Sequence, residues 1–87
     1  MANIQEVKTG LSVSVEKADK VMSRIKNAIE EIDKMLAVLR YVSSSAGHPL
    51  VQAAITRCEQ GKQRLVEAAT LVRETRSAAS EYRGLLG

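Results

Sequence analysis

The sequence predicts an all-α protein, an antiparallel hairpin of two long helices that assembles into a four-helix bundle as a dimer. Three observations carry this. One punctuation mark, Ser43-Ser44-Ser45-Ala46-Gly47-His48-Pro49, divides the 87 residues almost in half. On both sides of it apolar residues recur in a seven-residue frame. The chain is 45% hydrophobic, yet its only aromatic residues are Tyr41 and Tyr82, so the core is aliphatic and small. Such a mixture suits closely packed helices better than strands, which favour aromatic and β-branched side chains. The length allows one domain, residues 1–87.

Helix 1 is expected over about residues 3–43. Asn3 and Glu6 have the spacing of an N-cap and its reciprocal partner. The a positions of the frame are Ile4, Leu11, Ala18, Ile25, Ile32 and Leu39, and the d positions are Val7, Ser14, Val21, Ala28, Met35 and Val42. Only Ser14 among them is polar. The e positions Val15, Met22, Ile29 and Leu36 widen the stripe to the face of a bundle helix. Leu11-Ser12-Val13-Ser14-Val15 alternates like a strand after Gly10, so a break near Gly10 is the expected weak point.

The turn is expected over residues 44–48. Ser45 and its neighbours depress helix propensity, Gly47 suits the positive φ of a helix C-cap, and Pro49 suits a first helical turn. His48, held out of helical geometry by the proline after it, is placed to cap the second helix.

Helix 2 is expected over about residues 49–84. Its a positions are Val51, Cys58, Leu65, Val72, Ala79 and Leu86, and its d positions are Ala54, Gly61, Ala68, Thr75 and Tyr82. Lys62, Arg76 and Arg83 recur at e, and Arg57 and Arg64 at g. Gly84 and Gly87 supply stop signals.

Folding the halves together with a facing d pairs residues whose numbers sum to about 93. The layers are then Leu39 with Ala54, Met35 with Cys58, Ile32 with Gly61, Ala28 with Leu65, Ile25 with Ala68, Val21 with Val72, and Ala18 with Thr75. Large faces small, and Gly61 is explained as space for Ile32, so Gly61→Leu is expected to overpack the hairpin. That register leaves Val15, Met22, Ile29 and Leu36 on helix 1 and Ile55, Val66, Leu71 and Leu85 on helix 2 beside the seam, as the expected partner interface. The partner is a second copy, another helical hairpin or a larger secreted protein.

Several function classes lose support. The lone Cys58 allows no internal disulfide and no Cys-based zinc site, and it reads as a small seam residue. No phosphate-binding loop, His-x-x-x-His, Cys-x-x-Cys or calcium loop is present; Gly61-Lys62 lacks the rest of a P-loop. Glu30 and Lys34 make an ordinary i,i+4 surface pair beside Glu31 and Asp33. No catalytic residue, metal, cofactor or small-molecule substrate is therefore expected. The net charge of +3 comes from interspersed acids and bases with no stacking aromatics, so nucleic acid is not the expected partner. No apolar run reaches the roughly 18 residues of a membrane span. The N-terminal residues lack the basic and apolar regions of a secretory signal, which makes the expected location cytoplasmic, with any export by a signal-independent route.

A short chain with two long helices around a central Gly turn resembles the WxG-type proteins of type VII (ESX) secretion. Ser45-Ala46-Gly47 stands where the family has Trp-x-Gly, and Tyr82 is followed four residues later by Leu86 instead of an acid. Gly47-His48-Pro49-Leu50-Val51 and Glu81-Tyr82-Arg83-Gly84-Leu85 look closer to small actinobacterial relatives. In those, similar hairpins stand alone or lead polymorphic toxins. The resemblance implies a homo- or heterodimeric four-helix bundle and a role as a secretion-associated adaptor or toxin-targeting partner. The alternative is a cytoplasmic coiled-coil oligomerisation or regulatory protein, and, behind it, a nucleic-acid-associated one using Arg57, Arg64, Arg76 and Arg83.

Overall fold

The computed structural model describes residues 2–87 and contains two helices, α1 (Ile4–Ser45, 42 residues) and α2 (Pro49–Leu85, 37 residues). The protein is an all-α helical hairpin. Helix α1 starts where the Asn3 side chain accepts the Glu6 amide at 2.8 Å, filling one of the first-turn donors that have no partner in the helix. It then runs without interruption through Gly10 and the alternating Leu11–Val15 stretch. The period-two pattern there is overridden because Leu11 and Val15 also fall on the helix's inward stripe, where both are half-buried.

The connection is three residues, 46–48. Ser44 Oγ donates to the Tyr41 carbonyl at 2.7 Å, and the Ala46 amide donates to the Val42 carbonyl at 2.8 Å, which closes α1. The His48 amide donates to the Ala46 carbonyl at 2.7 Å. Imidazole Nδ1 of His48 accepts the Leu50 amide at 3.1 Å, so this side chain caps α2, with Pro49 as its first residue. Gly47 does not take a positive φ, contrary to its expected role; among the described residues only Gly87 does. The tight bond across Gly47 reverses the chain without a left-handed residue.

The chain divides into two compact units, each holding part of both helices: Ile25–Ala68, which contains the turn, and Met1–Arg24 with Ala69–Gly87, which contains the ends. In the turn unit Leu36 (2% exposed) and Ile55 (9%) are the buried side chains, flanked by half-buried Ile25, Ile29, Ile32 and Leu39 from α1 and Val51, Cys58 and Leu65 from α2. Lys62 Nζ reaches Asp33 at 2.7 Å, and the Gln52 amide nitrogen donates to Ser43 Oγ. In the end unit Ala18 is buried at 8%, among half-buried Leu11, Val15, Met22, Val72 and Ala79. There Arg76 Nε meets Asp19 at 2.6 Å, Arg83 Nε donates to Ser12 Oγ at 2.6 Å, and Lys8 Nζ donates to the Gly87 carbonyl at 2.5 Å.

Exposure corrects the expected seam. In each unit the cross-helix pairs join a b residue of one helix to an e residue of the other, with numbers that add to 95 (33 and 62, 43 and 52; 19 and 76, 12 and 83, 8 and 87). The seam is formed by a and e of both helices rather than a and d, a rotation of about 50° for each helix at 3.6 residues per turn. Met35, Val42 and Val21, assigned to d layers, are 52%, 39% and 38% exposed. The physical reason is volume and charge together. On α1 the e residues Val15, Met22, Ile29 and Leu36 are all large and apolar where d includes Ser14 and Ala28, so facing e inward buries more apolar surface. The same rotation lets the e residues Lys62, Arg76 and Arg83 lay their stems along the seam edge and reach the b residues of α1. A Cβ added at Gly61 meets nothing within 4 Å, so Ile32 does not pack against this site and the expected overpacking by Gly61→Leu loses its basis.

Candidate partner interface

The eight residues expected beside the seam do not form one surface. Leu36 and Ile55 are buried and Val15, Met22 and Ile29 half-buried, all five within the hairpin itself. The rotation that brought e inward consumed them. Val66 (42% exposed) in the turn unit and Leu71 (64%) and Leu85 (79%) in the end unit stay on the surface. Of the turn residues, Ser45 ends α1, His48 caps α2 and Pro49 opens it.

What the rotation pushes outward is the opposite, d/g flank. In the turn unit α1 presents Met35, Val38 and Val42 there, at 52%, 63% and 39% exposed, with half-buried Ala28. In the same unit α2 presents Leu50, 74% exposed, followed by the half-buried small residues Ala54, Gly61 and Ala68. An antiparallel pair places the d sides of both helices on one face, so these residues share a surface. Glu31 borders it on α1, and Arg57 and Arg64 on α2. The sequence signal that would have found this flank is the match between Asp33 and Asp19 on one helix and Lys62 and Arg76 on the other. Each pair of like residues is separated by fourteen, so only one register satisfies both.

The charged groups are structural partners or solvated. The Arg76 pKa is raised by its hydrogen bond to Asp19 and then by that carboxylate's charge, so it stays cationic. Lys34 pairs with Glu31 one turn away at 3.0 Å. A shallow concavity built from α2 alone is lined by Gln60, Gln63, Arg64 and Glu67. Among the described residues no group of three or more His, Cys, Asp or Glu side chains could hold a metal ion, and no helix is long and apolar enough to cross a membrane.

Compared with known proteins, the chain matches no family model, no curated protein and no solved structure.

Proposed function

We propose that this chain is a non-enzymatic interaction module that acts by packing its helices against another protein. One observation carries the reading. Among the described residues only Ala18, Leu36 and Ile55 are buried hydrophobics, while twelve large hydrophobic side chains stand exposed. A chain that hides so little of its apolar surface gains most by covering it with another helical protein. The hairpin architecture around a central Gly turn supports the narrower role of a WxG-like secretion-associated adaptor or toxin-targeting partner. The test is expression of the tagged chain in a type VII-secreting actinobacterium, with and without its secretion ATPase. Appearance in the medium only with the ATPase supports the narrower role; retention in both strains refutes it.

The second reading is a coiled-coil oligomerisation or regulatory protein that stays in the cytoplasm, favoured by Ser45-Ala46-Gly47 in place of Trp-x-Gly and Leu86 in place of an acid. A nucleic-acid role is weakened because Arg76 and Arg83 are engaged by Asp19 and Ser12.

A further inference from the structure

We infer that the turn end of the hairpin docks on an anionic lipid surface, with Val38, Tyr41, Val42 and Leu50 entering the headgroup boundary and Arg40 and Arg57 meeting its phosphates. This goes beyond the reading of the chain as a helix-packing module, because it assigns a lipid and not a protein to one end of the molecule. Leu71, Tyr82 and Leu85, exposed in the other unit, take no part in it.

Charge sets this end apart. Of 13 bases and 10 acids, three bases and no acid lie from Lys34 to Cys58, so the whole net charge of +3 falls in that stretch and the rest of the chain is balanced. Lys34 turns back to Glu31 at 3.0 Å, which leaves the exposed Arg40 and Arg57 as the cations nearest the turn. The same acid-free stretch holds three of the most solvated large apolar side chains, Val38 at 63%, Tyr41 at 76% and Leu50 at 74% exposed, with Val42 beside them.

Depth fits a lipid boundary. Helix α1 ends at Ser45 and α2 begins at Pro49. At 1.5 Å per residue Val38 lies about 10 Å from the end of α1, and Tyr41 and Val42 about 5 Å. Leu50 is in the first turn of α2. Apolar groups of surface-bound elements sink roughly 5–10 Å into the boundary between headgroups and acyl chains. A tyrosine, with an apolar ring and a polar tip, favours that level. Arg40 and Arg57 stand about 8 and 12 Å from the same helix ends, where long stems let their guanidinium groups reach phosphates. The nearest acids, Asp33 and Glu59, stand about 18 and 15 Å away, clear of the boundary.

Shape and chemistry select a lipid over the alternatives. Val38, Val42, Leu50 and Arg57 lie on the d/g flank, Tyr41 at c points away from α2, and Arg40 at b lies on the opposite flank. A partner helix covers one flank, whereas a fluid surface met end-on receives side chains from every direction. A nucleic acid meets the two arginines and leaves four apolar side chains in water.

The experiment is co-sedimentation of the full chain with vesicles of phosphatidylcholine, with and without phosphatidylserine. Binding is expected to be about thirtyfold tighter with phosphatidylserine, since each arginine near an anionic leaflet contributes roughly five- to sixfold. It is expected to weaken in 1 M salt. Tyr41→Glu and Leu50→Glu, both at exposed sites, abolish binding while leaving the helical circular dichroism unchanged; Leu71→Glu in the other unit changes neither. The chain has no Trp, so Tyr41→Trp and Leu71→Trp each give a single reporter. Emission from position 41 shifts to the blue on vesicles and emission from position 71 does not. Failure to bind either vesicle at low salt overturns the inference, as does retention of duplex DNA in place of vesicles. Binding that survives both glutamate variants, or a blue shift at position 71 alone, overturns the assigned end. Each of these failures leaves the helix-packing reading in place, because that reading concerns a protein partner.

Discussion

Leu36→Ala tests the rotated seam most directly, with Met35→Ala as its companion. The two residues are neighbours in sequence and opposites in environment, at 2% and 52% exposed. Truncating a buried leucine costs about 2–5 kcal/mol, more where the surroundings cannot collapse into the gap. A two-helix seam open along its flanks relaxes easily, so a value near the low end, about 2–3 kcal/mol, is expected. For a domain of this size each kcal/mol moves the thermal midpoint by roughly 4–8 °C, giving a fall of about 10–20 °C. Met35→Ala removes a half-solvated side chain and is expected to cost the isolated hairpin about 0.5 kcal/mol. The assay is thermal unfolding by circular dichroism, with each variant melted at two concentrations tenfold apart. Association contributes a concentration-dependent part to the midpoint, which the comparison removes. If the concentration-independent loss from Met35→Ala equals that from Leu36→Ala, d and e are both inside, and the a/e seam is wrong.

Other expectations follow from single contacts. Gly10→Ala, at a helical site where a Cβ meets nothing within 4 Å, is expected to stabilise the protein by about 0.5–1 kcal/mol, read as a raised melting midpoint. His48→Ala removes the acceptor for the Leu50 amide and is expected to cost about 1 kcal/mol, whereas His48→Asn keeps most of the cap. Hydrogen exchange at the Leu50 amide, faster in the alanine variant alone, checks it. A double-mutant cycle of Asp19→Asn with Arg76→Gln is expected to show a favourable coupling that fades in 1 M salt, since both side chains are substantially exposed at 57% and 41%. Because Asp19 raises the Arg76 pKa, the guanidinium's share of that coupling is fully present at neutral pH and is lost only in strong alkali. A coupling that persists unchanged in high salt would contradict an exposed pair.

Both helices and the turn were legible because their signals are local. Asn3 capped α1, and Pro49 with His48 opened α2, since caps depend on residues within one turn of each other. The strand-like stretch after Gly10 was the weak local signal, and the inward stripe running through it prevailed. The seam was not legible from hydrophobicity because a, d and e of α1 all carry apolar residues. Neighbouring choices on a helical wheel differ by less than one residue's rotation. The decision lay in pairs far apart in sequence, Asp33 with Lys62 and Asp19 with Arg76, which a heptad count on either half alone does not weigh. The misassigned interface residues follow from that one rotation. Gly47 failed as a left-handed cap for a different reason: a three-residue turn closed by the His48 amide leaves it no such task.

The shared sum of the cross-helix pairs limits how such a chain can change in length. One residue inserted in α1 on the turn side of Asp33 turns every residue before it by about 100° relative to α2, uncoupling Asp33 from Lys62 and Asp19 from Arg76 together. A change confined to residues 46–48 leaves both helices in phase and strains only the connection. Lengthening therefore proceeds without cost only when both arms grow together, a heptad at a time, while the turn absorbs single-residue differences. Homologous chains of other lengths are expected to differ by matched sevens in the arms, and a variant with seven residues added to one arm alone is expected to slip its pairing or leave an unpaired overhang.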